Sequence, residues 1–385
     1  MQFEIGKNDL VRELQLVTGV VEKRATLPIL SNLLLETRAS GLEIGASDLE
    51  VTIRAQAPAT VTQAGSITLP ASKLHEIARS LPDETVKFKL LERNQVEIRC
   101  GRTKYKISGQ DRDDFPSFPE VDRGKGVALP AKFLRQMIER VVFAITTEDP
   151  RYSLNGALLM LENRTLTLVA TDGHRLAVIT RTFDIKAPAE AIKVIVPRKA
   201  LAEVLKMTGD MNDDQQVIFG HSGNHVFFEI EGHKLTSNVL EGSFPRYENV
   251  LPKSCDTSLT LPTADLMNAV RRVSLLASER FGRAVQLSLS AGKLDLYSRT
   301  EMGEAEESLA IAYDGPEIKI GFNARYLIDF LNVVGSSDVA LELNPCREGE
   351  KADDTKVEAG DKPGQLRPDP QGDGNYRYVV MPMHL

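Results

Sequence analysis

A short apolar strand that ends in proline and runs straight into an amphipathic helix recurs along this chain, and no other feature restricts the fold as much. Four copies are explicit: SITLP-ASKLHEIARSL at Pro70, GVALP-AKFLRQMIERVV at Pro130, VIVP-RKALAEVLKM at Pro197 and LTLP-TADLMNAVRRVSLL at Pro262. Proline has no amide proton to lose, and its fixed φ suits a first helical turn. Two more segments keep the rhythm without it: FEIGKNDLVRELQLV, starting its helix near Gly6, and IGFNARYLIDFLNVV, where Asn323 is placed to cap the helix. Successive starts lie roughly 60–67 residues apart, the spacing of a repeated supersecondary unit.

Between the helices the period changes from 3.6 to two. LSNLLLETRASGLEIGASDLEVTIRAQA, ALLMLENRTLTLVATDGHRLAVITRTF and VQLSLSAGKLDLYSRTEMGEAEESLAIAY each read as strands joined by polar turns. They follow the first, third and fifth helices and resemble one another more than the shorter stretches after the others. The six units therefore pair into three domains, 1–125, 126–253 and 254–385. Each is an α+β unit with two helices packed on antiparallel sheets. One stretch breaks the pattern: CREGEKADDTKVEAGDKPGQLRPDPQGDGN, 346–375, is nearly free of apolar residues and predicts a mobile surface loop inserted in the third domain. The chain then ends on the apolar YRYVVMPMHL.

Several function classes drop out. No run of eighteen apolar residues occurs, and MQFEIGKNDL lacks a signal-peptide layout. Cys100, Cys255 and Cys346 lie far apart without CxxC spacing, which predicts neither disulfides nor zinc and points to a reducing cytoplasm. GxxxxGK[ST], HExxH and GxSxG are all missing, so no nucleotide loop, metalloprotease helix or nucleophile elbow is predicted. The nearest thing to a catalytic cluster is ATDGHRLAV, with Asp172, His174 and Arg175, and it reads as a turn between two strands. The expectation is a non-enzyme without cofactor or metal.

A net charge of −7 argues against nucleic acid until the charges are located. The helical segments 7–24, 71–80, 130–140, 197–206, 264–283 and 323–332 together carry +8, which leaves −15 for the rest of the chain. Such segregation makes a focused positive surface that net charge conceals. Arg24, Lys73, Arg79, Arg135, Arg198 and Lys199 on these helices are candidates for duplex phosphate contacts, salt-sensitive and indifferent to base sequence.

Taken together, TLPILSNLLLE (26–36), DFPSFPEV (114–121), RYSLNG (151–156), ATDGHRLAV, VIVPRKAL (194–201), GSFPRYENVLPK (242–253), GFNARYLIDFL (321–331) and YVVMPMHL resemble the bacterial sliding clamp family, the β subunit of DNA polymerase III. The resemblance spans the chain in order, 346–375 excepted. It implies three clamp domains forming half of a closed ring, a homodimer whose helices face double-stranded DNA and whose sheets form the rim. It implies a processivity factor that tethers the polymerase III catalytic subunit, the clamp loader, other polymerases and repair proteins through short linear motifs.

By the same resemblance Arg24 and the loop TTEDPRYSLNG, with Tyr152, lie near the DNA path. A peptide pocket between the second and third domains takes Thr171, Gly173, His174, Arg175, Leu176, Pro245, Val250, Asn323, Tyr326, Val379, Val380, Met381, Pro382 and Met383. At the dimer seam Tyr105 and Ile107 meet Leu275 and Leu276, with Arg102 and Lys104 facing Glu304, Glu306 and Glu307. A repeat-built peptide scaffold with no DNA role is the main rival reading, and a hydrolytic enzyme using Asp172 or His174 a distant one.

Overall fold

The computed structural model describes all residues except 23–26, 123, 125, 147–151, 210, 211, 213, 279–282, 345–361, 373, 384 and 385. Its first repeat runs β1 (Gln2–Gly6), α1 (Lys7–Val17), β2 (Asn32–Arg38), β3 (Gly41–Ser47), β4 (Val51–Ala57), β5 (Ala59–Gln63), β6 (Ser66–Pro70), α2 (Ala71–Ser80), β7 (Thr85–Leu90), β8 (Gln95–Cys100) and β9 (Thr103–Ser108). The second runs β10 (Val127–Pro130), α3 (Ala131–Val142), β11 (Gly156–Glu162), β12 (Thr165–Thr171), β13 (Arg175–Thr182), β14 (Ile192–Pro197), α4 (Arg198–Met207), β15 (Gln216–Ser222), β16 (His225–Ile230) and β17 (His233–Asn238). The third runs β18 (Thr257–Pro262), α5 (Thr263–Val273), β19 (Ala284–Ser290), β20 (Lys293–Thr300), β21 (Gly303–Ala310), β22 (Ile318–Asn323), α6 (Ala324–Val333), β23 (Asp338–Leu343), β24 (Gly364–Asp369) and β25 (Asn375–Val380).

All six helix starts fall where the sequence places them, with one correction. Pro70, Pro197 and Pro262 are N-caps, with φ near −57° and extended ψ, rather than first-turn residues. Each closes a strand at the edge of its sheet, where a missing N–H interrupts no ladder. Asn323 caps α6 as expected, its side chain accepting from Arg325 N at 2.9 Å. In α1 the buried positions Leu10, Glu13, Leu14 and Val17 follow the i, i+3, i+4, i+7 spacing of one helix face.

The chain forms two compact units, one of residues 1–135, 185–192 and 196–240, the other of 136–184, 193–195 and 241–385. In the first, β5-β1-β7-β8-β9 form one sheet and β10-β15-β16-β17-β4-β3-β2-β6 another. In the second, β14-β11-β12-β13-β25-β24-β23-β18 and β21-β20-β19-β22 form the sheets. A repeat boundary therefore does not interrupt a sheet. β17 of the second repeat pairs with β4 of the first, Leu235 opposite Ile53. β25 of the third pairs with β13 of the second, Tyr378 opposite Ala177.

Both cores contain stacked aromatic pairs among aliphatic side chains. Phe3 stacks on Phe88 at 4.7 Å in the first unit, and Phe330 stacks on Tyr378 at 5.1 Å in the second. Burying Tyr376 and Tyr378 completely requires partners for their hydroxyls, which donate to Arg140 O at 2.7 Å and Tyr326 O at 3.0 Å.

Residues 346–375 are not one loop. Those described within that span include β24, which lies between β23 and β25. Its polar side chains are satisfied by neighbours instead of water: Arg367 Nε donates to Glu342 at 2.6 Å, and Gln365 donates to the other oxygen of the same carboxylate. Only Gly364–Leu366 pair with β25, so Pro368 deprives that ladder of nothing. A count of apolar residues misses a strand whose burial rests on such pairing.

Glu13 is 1% exposed, an expensive place for a carboxylate. It is held by Arg12 Nε at 2.8 Å and by His233 Nε2 at 2.5 Å, tying α1 to β17. Burial pushes its pKa up, but the His233 and Arg12 contacts outweigh that and leave it below the ordinary value of 4.5. A depressed folded pKa means its stabilisation is present above about pH 4.5 and is lost as pH falls through the folded value. His233→Ala, which strips one partner from a buried charge, is expected to destabilise the protein by about 3 kcal/mol. Glu13→Gln is expected to flatten the acid limb, as read by thermal unfolding from pH 3 to 7.

Candidate functional site

The turn between β12 and β13 is built by its own short side chains. Thr171 Oγ1 accepts from Gly173 N at 3.0 Å and donates to Arg175 O at 2.6 Å. Asp172 Oδ1 accepts from the backbone N of His174 and of Arg175, both at 3.0 Å. Gly173 sits at φ +89°, a conformation other residues rarely adopt. The turn reading of ATDGHRLAV therefore holds at the atomic level.

Arg175 is 9% exposed, and its fork is fully engaged. Nε donates to Asp172 at 3.0 Å, Nη1 to Asp329 of α6 at 2.7 Å, and Nη2 to Phe143 O at 2.7 Å. Its guanidinium lies 4.3 Å from the centre of the Tyr326 ring. Burial disfavours the charge, but Tyr378, Asp329 and Asp172 more than offset it and raise the pKa above the ordinary arginine value. A guanidinium held this way presents a flat, rigid wall and keeps its donors for its own fold.

Beside this wall opens a cavity of about 510 Å³. Of the residues expected there, Thr171, Gly173, Arg175, Leu176, Pro245, Val250, Val379 and Met381 line it. His174, Asn323, Tyr326, Val380, Pro382 and Met383 do not. His174 gives its carbonyl to Met381 N at 2.9 Å, and Met383 N bonds Gly321 O at 2.8 Å, so these residues anchor the C-terminal segment. Val380 is fully buried, and Tyr326 sits beneath Arg175.

The wall also includes Leu154, Tyr247, Leu251 and Pro252, together with Asn344, Lys362 and Pro363. The last two lie in the stretch read from sequence as a loop. Among the described residues no three His, Cys, Asp or Glu side chains are placed to hold a metal.

The other candidates are dispersed. Lys73 pairs with Glu76 at 2.6 Å, and Arg135 Nη1 donates to Gly209 O at 2.8 Å. Lys199 is turned toward Asp48 and Glu22. Arg198 opens α4, and Arg79 lies exposed near the end of α2. Arg24 lies outside the described residues, as does the side chain of Tyr152, whose backbone begins the short helical turn Tyr152–Leu154. The sheets are also not uniformly acidic: Lys87, Lys89, Arg99, Lys104 and Lys106 all stand exposed on β7–β9.

At the expected seam Tyr105 and Ile107 are half-buried on β9, while Leu275 is 81% exposed and Leu276 half-buried. Arg102, Lys104 and Glu306 are exposed. Glu304 accepts from Tyr297 Oη at 2.9 Å. Within its own chain Glu307 is paired with Arg272, and Lys104 is paired with Glu97 at 2.6 Å.

Family models of the DNA polymerase III beta subunit match the chain in three consecutive blocks: the N-terminal domain over 1–119, the central domain over 128–246 and the C-terminal domain over 248–352. The chain belongs to this family. Its curated relatives include beta sliding clamps of Pseudomonas putida, 34% identical, and Escherichia coli, 33% identical, each covered completely along with this chain. The Pseudomonas aeruginosa DNA polymerase III subunit beta structure matches with a TM-score of 0.89 at 34% identity, over all of both chains. A second structure of that clamp, bound to griselimycin, matches with a TM-score of 0.88. The Bacillus subtilis clamp, 26% identical, reaches 0.90 over 100% of this chain and 99% of that one. Membership in the family places the chain in DNA replication, as a processivity factor. Among the described residues no helix is long and apolar enough to cross a membrane.

Arg175→Met leaves Asp172 and Asp329 without their shared partner. It is expected to cost about 3 kcal/mol of stability. Thermal unfolding of the variant checks this, and Asp329→Asn is expected to lose less because Arg175 keeps Asp172 and the Phe143 carbonyl as partners.

Proposed function

We propose that two copies of this chain join head to tail into a ring around duplex DNA. The ring acts in the cytoplasm without catalysis, sliding on DNA and holding the polymerase III catalytic subunit, the clamp loader, other polymerases and repair proteins by short peptides in the 510 Å³ cleft. Griselimycin, named for the Pseudomonas structure, is on this reading a ligand of the same cleft.

One observation carries the ring: a joining rule that the chain satisfies twice and leaves open once. Each repeat contains two three-strand meanders, and the third strand of a meander is where sheets join. β4 joins β17, and β13 joins β25. β9 and β21 are the meander ends that remain, each with one neighbour among the described residues. An open edge of this kind is a template for another chain.

The register follows from the repeats. Ile53, Ala177 and Ala305 hold the same place, opposite Ala46, Ala170 and Ser298 in their hairpins. Leu235, Tyr378 and Tyr105 likewise sit opposite Phe228, Leu366 and Ile98. Tyr105 of one copy therefore faces Ala305 of the other, which puts Lys104 opposite Glu306 and Lys106 opposite Glu304. Ile107 then meets Gly303, whose added Cβ would lie 3.9 Å from Leu276. Such a contact is heterologous, and two of them close a ring when the rotation allows.

The protein loaded onto a nicked circular plasmid is expected to stay there through gel filtration and to be lost once the plasmid is linearised; equal retention on both forms defeats the ring. Lys104→Glu is expected to shift the protein from dimer to monomer at micromolar concentration in sedimentation. Adding Glu306→Lys to the same chain is expected to restore the dimer.

A further inference from the structure

At the joint between the first and second repeats the turn repeats the hydrogen bonds of the turn beside the cleft, yet the seat under its linker is filled. At the turn, Ser47 Oγ accepts from Leu49 N at 3.1 Å, as Thr171 does from Gly173. Asp48 Oδ1 accepts from Glu50 N at 2.9 Å and Val51 N at 2.6 Å, as Asp172 does from His174 and Arg175. The linker over each joint repeats too: Phe115-Pro116-Ser117-Phe118 against Phe244-Pro245-Arg246-Tyr247. Phe118 and Tyr247 thus hold the same position. Phe118 packs on a buried cluster of Ile29, Leu30, Leu34 and Phe115. Tyr247 is one wall of the open cavity.

The difference lies under the aromatic ring. Gly45 stands opposite Leu34, and in the same register Val169 stands opposite Leu158. A Cβ added to Gly45 would come within 2.3 Å of Phe118 Cζ, so the ring occupies the space a side chain would need. Arg54 covers it from the side, 5.4 Å from the ring centre, and Phe115 meets it edge-on at 5.8 Å. At the second joint the seat is taken by the buried isopropyl group of Val169. The linker there rides higher: Phe244 is only half-buried, where Phe115 is 2% exposed.

We infer that the residue at the Gly45/Val169 position decides whether a cleft is sealed by its own linker aromatic or left open to a ligand. Val169 is then a positioning residue. It touches no ligand, but by standing in the seat it holds Tyr247 at the wall of the cleft. Glycine at position 45 lets Phe118 act as an internal occupant, so of the two corresponding seats the first holds its own linker aromatic and the second does not. This rests on the proposed peptide-binding role of the cleft, and the experiment separates the two.

The chain has no tryptophan, so Tyr247→Trp gives a single fluorescent reporter. In the Val169→Gly background its emission is expected to shift to the blue and its quenching by iodide to fall, as the ring drops into the vacated seat. With griselimycin as probe, Val169→Gly is expected to weaken binding by about tenfold or more, ~1.4 kcal/mol. Val169→Ile is expected to leave binding unchanged. In a Tyr247→Ala background, which sets its own baseline because Tyr247 is part of the wall, Val169→Gly is expected to have no further effect on binding, whereas a general loss of stability would weaken binding in both backgrounds.

Two results overturn the inference: an unshifted reporter in the folded Val169→Gly protein, or a binding loss of the same size when Val169→Gly is made in the Tyr247→Ala background. If the wild-type protein does not bind griselimycin, the peptide-site reading fails for that ligand, and the fluorescence shift still decides whether Val169 seats Tyr247.

Discussion

An unpaired strand edge is the constraint from which the rest of this structure follows. A three-strand meander leaves a row of backbone N–H and C=O groups on its last strand, and a protein must cover, pair or charge them. Here the solution is pairing. β4 takes β17, β13 takes β25, and each joint carries one sheet across the boundary between two repeats. The compact units of the chain are for that reason not the repeats themselves. Hydrogen-bonded ladders make the joints stiff, and the linkers between repeats must then run across them. A cleft beside such a joint has one wall of sheet and one wall of linker, which is the composition of the 510 Å³ cavity.

The two joints have diverged in the chemistry that supports them. In the first unit α1 is tied to β17 by a buried carboxylate, Glu13, between His233 and Arg12. In the second, aromatic rings pack together: Phe330 against Tyr376 and Tyr378, and Phe143 against Tyr378. Arg175 adds a charged cross-tie from β13 to α6 through Asp329. The position of Arg175 in the first joint is Val51, which is fully buried and ties nothing. The two joints share a backbone pattern and differ in the side chains laid over it.

Much of the architecture was legible in the residues. The strand-to-helix junctions recur with proline or asparagine at the cap, and those signals act over three or four residues, so Pro70, Pro197, Pro262 and Asn323 mark true helix starts. Eight of the expected pocket residues line the cavity. The misses share a cause. β24 was hidden because Gln365 and Arg367 are polar, and it is their contacts with Glu342, and that of Gln365 with Arg377, that make them fit for a sheet interior. Lys362 and Pro363 were hidden with it. Leu251 and Pro252 join the cavity because the linker turns at Tyr247–Asn249, a path no periodicity encodes. Charge was legible as a sum and not as a surface: Lys199 belongs to a basic helix, yet its ammonium faces Asp48 and Glu22.

The repeated junction of strand and helix, from which the fold was first read, is a property of the sequence alone. Caps, hairpin turns and the alternation of apolar residues are set by neighbours a few bonds away, so six helix starts and three sets of meanders need no tertiary information. What only the tertiary structure decided is which strand edges meet and what fills the space over them. Arg175 finds Asp329 across 154 residues, and His233 finds Glu13 across 220. Whether Gly45 or Val169 underlies an aromatic ring matters only once a linker has been laid over a joint. Those contacts depend on three-dimensional packing, in which one side chain can fill or free the space another needs.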